Sequence, residues 1–432
     1  MGSRNGMGST VRRGQNAGMC RALAVIVVAG GLLVTACASS APSSDRRALL
    51  ARAVERLVDE TVAGPIADRR FAGVVLVTQD GRPLLRKAYG FADHEQRILN
   101  TPSTGFMVMS VSKQFTAALI ARLVVKGRLS FDGRVGVSLD DWPPAWGDVT
   151  VGNLLAHSSG LPIDTTYAWL VKHHPEYWAE PGGTPPAYQP RPLETPPGTT
   201  YNYANVGYTL LSMIAARAGG LPFDELMRRE VFGPLGLRHT HPERDRRVPG
   251  RARGYARTDT GFALSEQKTI DIVGAGDLVS TADDLARFDA AFDDDSFLPA
   301  AVRAEMLSPH VQGSRGGLGY GWFLRTSDGG RMTQYHTGSG AGFRAFNYRL
   351  PNDRLTIVVL SNVYQAELAW LRPMIDRIAE TVEASPLAPG SQPIAAITFQ
   401  SPPTNRLARA PQSSPEPDVE KGAGGPMGFA SK

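Results

Sequence analysis

An α+β fold is predicted for this 432-residue chain from three observations. Strand-type runs are confined to its two ends, near residues 71–89 and 318–361. The middle, from about 128 to 310, reads as short helices and loops. Between the first strands and that middle, a serine and a lysine stand three residues apart at the start of an apolar-periodic helix. One antiparallel sheet built from both chain ends and flanked by helices, with an all-helical lobe inserted between them, satisfies all three. It puts any catalytic centre in the cleft between the lobes. With 42% hydrophobic and 20% charged residues, the composition is that of a globular protein long enough to bury a sizeable core.

In chain order the first element is a leader. Arg4, Arg12, Arg13 and Arg21 surround or precede the apolar run from Ala22 to Leu33, which is short for a bilayer span and fits the core of a signal peptide. Val34-Thr35-Ala36-Cys37 follows. It resembles the lipobox of bacterial lipoproteins, in which the cysteine is acylated and becomes the new N-terminus; Val34 stands where leucine is usual. The resemblance implies a lipoprotein signal peptide over 1–36, lipidation at Cys37, a tether over 37–45, and an exported protein anchored to a membrane of the cell envelope. An ordinary secretory leader cut nearby is the alternative. Four basic residues and no acidic ones precede Cys37, so the formal charge of +5 becomes +1 once the leader is removed. With no clustered basic-aromatic stripe either, a nucleic-acid partner is excluded. Cys20 and Cys37 are the only cysteines, so the domain beyond them has neither a disulfide nor a thiolate metal site.

Leu50, Val54, Leu57 and Val58 at helical spacing predict a helix over 46–62. A strand over 71–78, the Asp80-Gly81 turn and a returning strand over 83–89 predict a hairpin. The helix after Ser110 carries Phe115, Leu119 and Leu123 on one side and stops near Gly127. Proline and glycine make residues 180–200 a loop. Leu210, Leu211 and Ile214 mark a helix ending at Gly219-Gly220, and Pro222 opens the next. Strands follow over 318–325, 331–336, 342–350 and 355–361, the last two separated by a Pro351-Asn352-Asp353 turn. A helix over 368–382 is kinked or restarted at Pro373. The domain thus spans 46–384. Pro, Ser, Gly and charge dominate 385–432, which is predicted to be disordered.

The chemistry starts at Ser110-Val111-Ser112-Lys113. Positions i and i+3 share a helix face, so Lys113 reaches the Ser110 oxygen. A helix start also offers unpaired N–H groups and a partial positive charge. That is the arrangement of an acyl-transfer nucleophile. Ser265-Glu266-Gln267-Lys268 repeats the spacing without an amphipathic helix behind it and is accidental. Tyr203-Ala204-Asn205 follows the proline-rich loop. A phenol beside a lysine is drawn toward phenolate, so Tyr203 could take the Ser110 proton and later pass it to the leaving group. Asn205 could hold a substrate amide or Lys113. His336-Thr337-Gly338 ends a strand, where Gly338 admits a substrate backbone and Thr337 offers a hydroxyl. The N–H groups of Ser110 and Ser339 are candidate oxyanion donors.

In this order the three elements resemble the motifs of the serine β-lactamase and penicillin-binding protein superfamily: Ser-x-x-Lys, Tyr-x-Asn, and Lys/His-Thr-Gly. The tyrosine form of the second points to the class C β-lactamase-like branch that includes DD-peptidases and esterases. Leu154-Leu-Ala-His-Ser-Ser-Gly-Leu-Pro162, Phe232-Gly-Pro-Leu-Gly-Leu237 and Gly274-Ala-Gly-Asp-Leu-Val-Ser-Thr-Ala282 look like that family's linking segments. The resemblance covers about 46–384. It implies a β-lactamase/DD-peptidase-like fold, and a serine hydrolase that forms an acyl-enzyme with D-alanyl peptides, esters or β-lactams. Ser110 is then the nucleophile, Lys113 its activator and Tyr203 the general acid/base. Asn205, His336, Thr337 and Gly338 bind substrate. No cofactor or metal is implied, and the partner is a small-molecule or peptide substrate. Which of Lys113 and Tyr203 is the base stays open. So does the alternative of a penicillin-binding lipoprotein that senses or binds without turnover. Histidine opens the third motif where lysine is usual in class C enzymes. A group titrating near neutrality is expected there, tuning acceptance of anionic substrates.

A Gly-x-Ser-x-Gly elbow is absent, which excludes an α/β-hydrolase. His239-Thr-His241 lacks a plausible third zinc ligand. His157 and the pair His173-His174 read as loop or packing residues.

Overall fold

The computed structural model describes residues 43–177, 187–245, 250–265, 272–327, 329–364 and 369–385. The leader, Cys37, most of the tether and the 386–432 tail lie outside the described residues, as does most of the second Ser-x-x-Lys. No helix among the described residues is long and apolar enough to cross a membrane.

The chain enters through helix α1 (Ser43–Ala67) and the hairpin β1 (Gly73–Gln79) and β2 (Arg82–Tyr89). Asp80 and Gly81 have φ of 53° and 68°, as a two-residue turn matching strand twist requires. Every residue of β1 is buried, because both faces of the sheet are covered. Val74 and Leu76 belong to one apolar core, Val75 and Val77 to another. The period-two alternation of a strand thus divides Val-Val-Leu-Val between two layers of helix.

Helix α2 (Ser112–Val125) ends at Gly127, whose φ of 66° closes the last turn. Helix α3 (Asn205–Gly219) is capped by Gly220 at φ 70°, and Pro222 precedes the short helix Phe223–Met227. The remaining main-sheet strands are β3 (Val311–Gly313), β4 (Gly316–Leu318), β5 (Phe323–Thr326), β6 (Met332–Gly340), β7 (Phe343–Leu350) and β8 (Leu355–Ser361). Their order is β3-β4-β5-β6-β7-β8-β1-β2, antiparallel throughout. The two ends of the chain therefore meet in mid-sheet, with Val74 opposite Leu360. The last helix among the described residues, Leu371–Glu383, packs on α1. Pro373 sits in its first turn, where a missing N–H costs nothing, so the helix starts there rather than kinking.

Three details depart from the sequence reading. The single strand expected over 318–325 is two strands around a tight turn, closed by Gly319 N–H donating to the Trp322 carbonyl. Gly321, at φ 81°, presses this turn onto α2, where a Cβ would come within 2.8 Å of Ala117 Cβ. The inserted stretch is also not purely helical. It holds the short strands His241–Pro242, Tyr255–Arg257, Phe262–Leu264 and Leu278–Ser280, which are too brief to display a period. Finally, helix Ala282–Ala290 lies against β1 and β8 and belongs with the sheet.

Candidate active site

The short strand Phe106–Met107 pairs with Leu278–Ser280 and leads into a 3-10 turn, Met109–Val111, just before α2. Met109 carries φ of 49°, a conformation that costs a side-chain-bearing residue about 1 kcal/mol or more. That turn holds Ser110 half-buried in front of α2, with Lys113 as the second residue of the helix.

Lys113 is fully buried, and its Nζ donates three hydrogen bonds. They reach Ser110 Oγ at 3.2 Å, Asn205 Oδ1 at 2.8 Å and the Ala275 carbonyl at 2.7 Å. Nζ also lies 4.8 Å from the centre of the Tyr203 ring and 5.5 Å from that of Tyr208. Burial pulls the pKa of Lys113 well below the ordinary lysine value, against the attraction of Asp277. Asp277 is itself buried, 2.8 Å from Arg244 and accepting from the Gly274 N–H at 3.0 Å. A neutral amine keeps two donors for Asn205 and Ala275, the shorter bonds. Its lone pair then faces the Ser110 hydroxyl.

Ser110 acts on the Tyr203 hydroxyl and favours its anion. Although the tyrosine is only half-buried, lost hydration raises its pKa far above the usual phenol value, and this outweighs the lowering effect of Ser110. The phenolate expected from the nearby lysine is therefore not favoured: the same burial that disfavours an anion at Tyr203 disfavours the cation at Lys113.

Strand β5 pairs with β6 only as far as Tyr335, so the 336–340 stretch has one edge without a strand partner. The Ser110 turn packs against it. His336 and Gly338 share the face toward that turn, while Thr337 and Ser339 alternate with them. A Cβ on Gly338 would stand 2.1 Å from the Val108 carbonyl oxygen. The glycine thus admits the protein's own backbone, where the sequence suggested a substrate's.

His336 is buried, with Nδ1 2.8 Å from the Thr337 carbonyl. Burial first, and then the nearby Lys113, lower its pKa to about 3. This direction runs against the near-neutral titration expected for this histidine and favours the uncharged ring near pH 7.

A family model described as Beta-lactamase matches residues 50–372. The chain belongs to the β-lactamase family. Within it, this chain is 30% identical over 324 residues to penicillin-binding protein 4* of Bacillus subtilis, covering 68% of each. It is 29% identical over 296 residues to a D-aminopeptidase of Gluconobacter oxydans, spanning 67% of this chain but only 55% of that relative's length. The structure of the octameric penicillin-binding protein homologue from Pyrococcus abyssi superposes with a TM-score of 0.60 and 26% identity, over 72% of this chain and 73% of that one. These likenesses place the chain in the serine β-lactamase and penicillin-binding protein superfamily and carry the α+β fold with it.

Two contributors to this β-lactamase-family site escaped the sequence reading. The Ala275 carbonyl has no side-chain signature; only the glycine-rich run around it hinted at a special backbone. His157, set aside as packing, lies directly under Tyr203, with ring centres 4.3 Å apart. Its Nδ1 accepts the Ala204 N–H at 3.2 Å, and its φ is 54°. It packs, and what it packs is the second motif.

Proposed function

We propose that this protein is a serine hydrolase that cleaves amide or ester substrates (D-alanyl peptides, esters or β-lactams) through a covalent acyl-enzyme, at the cell envelope and anchored through Cys37. The observation that carries this is the position of Lys113 Nζ, bonded at once to Ser110, Asn205 and Ala275, with the Tyr203 ring centre 4.8 Å away.

The neutral Lys113 amine takes the Ser110 proton as Oγ bonds to the substrate carbonyl carbon. The backbone N–H groups of Ser110 and Ser339 receive the developing oxyanion, each such donor being worth about 3 kcal/mol in the transition state. As the carbonyl re-forms, the bond to the leaving nitrogen or oxygen breaks. The proton held by Lys113 must finish on that atom, and Tyr203, beside Lys113, is the group that hands it on. Water then attacks the acyl-enzyme, gives its proton to the same pair, and frees the acid and Ser110.

Incubation with a fluorescent penicillin should label the wild-type chain and leave Ser110→Ala unlabelled. A D-Ala-D-Ala peptide, p-nitrophenyl butyrate and nitrocefin should then report turnover that depends on Ser110. Labelling without any product release would favour a penicillin binder or sensor. Turnover unchanged in Ser110→Ala would reject the nucleophile.

A further inference from the structure

The segment that brings Tyr203 to the site has no sheet to hold it: residues 201–204 lie in neither helix nor strand. Its register is set instead by the turn at residues 157–160. Glu194 N–H donates to the Gly160 carbonyl at 2.8 Å, Gly198 N–H to the Ser158 carbonyl at 2.7 Å and Asn202 N–H to the His157 carbonyl at 2.8 Å. A further bond, from Ala204 N–H to His157 Nδ1 at 3.2 Å, is made to a side chain. A Cβ on Gly160, at φ 69°, would stand 2.0 Å from the Thr195 carbonyl oxygen, so the two segments lie in direct backbone contact.

His157 therefore holds the chain on both sides of Tyr203, Asn202 through its carbonyl and Ala204 through its ring. That ring also covers the phenol, with 4.3 Å between centres and 30° between planes. It lies 5.0 Å from Tyr208, whose hydroxyl is tied to the Leu155 carbonyl at 2.7 Å. His157 is buried and holds φ of 54°, a left-handed conformation that a side-chain-bearing residue keeps only when its surroundings impose it. A ring nitrogen that accepts a hydrogen bond carries no proton, so the N–H of the neutral ring sits on Nε2. Burial, then Lys113 and His336, lower the His157 pKa well below the ordinary histidine value and favour that neutral ring near pH 7. A second proton would set an Nδ1–H against the Ala204 N–H and break the bond.

Resting on the acyl-transfer mechanism above, we propose that His157 is a positioning residue for the proton transfer that Tyr203 makes to the leaving group. It acts through Tyr203 and not on the substrate, fixing the direction of the phenol by one hydrogen bond and one ring face. The chemistry of the leaving group decides where this matters. An alkoxide or an amine anion is a strong base and cannot depart without a proton, so acylation by an alkyl ester or an amide needs a correctly aimed Tyr203. p-Nitrophenolate is a weak base and departs unaided. Loss of His157 therefore discriminates between substrates by leaving group, which a general loosening of the fold does not.

The test follows kcat/KM for p-nitrophenyl butyrate and ethyl butyrate, which share an acyl group and differ in the group that departs. Full-length wild type, His157→Phe, His157→Asn, Tyr203→Phe and the double variant of His157→Phe with Tyr203→Phe are assayed alongside Ser110→Ala. His157→Phe keeps a ring and removes the acceptor. Ethyl butyrate turnover should fall by about 100-fold, the cost of misplacing a reacting group by about 1 Å, and p-nitrophenyl butyrate turnover by far less. His157→Asn offers Oδ1 to the Ala204 N–H and tolerates the left-handed backbone, and should recover part of the loss. Tyr203→Phe should show the same selectivity, and adding His157→Phe to it should cost little more, because both changes remove one function. Equal losses for the two esters in His157→Phe, or a full further loss in the double variant, overturn the His157 proposal alone. Where His157→Phe does not fold, or wild type leaves ethyl butyrate uncleaved, NMR of isotope-labelled histidine nitrogens in wild type decides. The His157 signals, identified by their absence from His157→Asn, should show a bare Nδ1 and a protonated Nε2 at pH 7, and a proton on Nδ1 overturns the proposal. Absence of both turnover and Ser110 labelling overturns the hydrolase reading and this proposal together.

Discussion

Lys113 is pushed toward its neutral form for the same reason that Tyr203 keeps its proton: both are stripped of water, and each ordinary ion would be stranded. The direction of both shifts favours Lys113 over Tyr203 as the base of the proposed mechanism. Its folded-state pKa is depressed, so the active neutral amine is present well below the usual lysine range and is lost as acid protonates it. The acid limb of kcat/KM should therefore follow Lys113. That limb should superimpose, after scaling, for an anionic and a neutral ester between pH 5 and 8. kcat/KM reports ionisations of the free enzyme, and burial lowers the His336 pKa to about 3. Profiles that diverge within the window would mean that His336 titrates there after all. At this scale the sequence was partly readable. The spacing of Ser110 and Lys113 follows from helix geometry. Tyr203, Asn205 and His336 stand far off in the chain, and only the resemblance tied them to it. The pKa directions come from burial, which no spacing reveals.

The element that organises the site is β6, and specifically the stretch where β5 leaves it. Gly338 lets that stretch come against the Val108 carbonyl, which sets how the Ser110 turn meets the strand. Gly338→Ala must push strand and turn apart, since a 2.1 Å contact with backbone cannot be relieved by a rotamer change. A displacement of about 1 Å costs on the order of 100-fold in rate for a positioned nucleophile. Stopped-flow acylation by a fluorescent penicillin should slow by roughly that factor, with a lower melting temperature by circular dichroism. An unchanged acylation rate would show that the contact does not position Ser110. Long strands such as 355–361 could be read from sequence to the residue because their apolar runs are continuous. The break at Gly319–Trp322 was hidden because its glycines sit within an otherwise strand-like run. What bends the chain there is the surface of α2, a partner distant in sequence.

Across the whole molecule, β7 and two helices on one side of the sheet are tied together by a buried polar link that includes a carboxyl group. Asp289, on helix Ala282–Ala290, is fully buried and accepts from Asn347 Nδ2 of β7 at 2.8 Å. Asn347 also donates to Gln114 of α2 at 3.1 Å. Burial raises the Asp289 pKa from 3.8 to about 7. The folded chain therefore holds a proton that the unfolded chain releases near pH 4. Stability should fall as pH rises from about 4 through 7, at up to about 1.4 kcal/mol per unit. Asp289→Asn keeps an acceptor for Asn347 and has no proton to lose. Urea midpoints at pH 5 and 8 should differ less in this variant than in wild type. An equal difference in both would remove Asp289 as the cause. The architecture was legible at this scale because strand patterns cluster at the two ends of the chain, whereas the lobe between them, made of brief elements, had no period to read.

The pairing of β1 with β8 has a consequence for biosynthesis. Gly73 lies opposite Ser361, so the hairpin formed first has no neighbour on its inner edge until almost the entire domain has left the ribosome. Closing so long a loop is slow. Chains halted anywhere before residue 355 should stay protease-sensitive, however much of the catalytic apparatus they already contain.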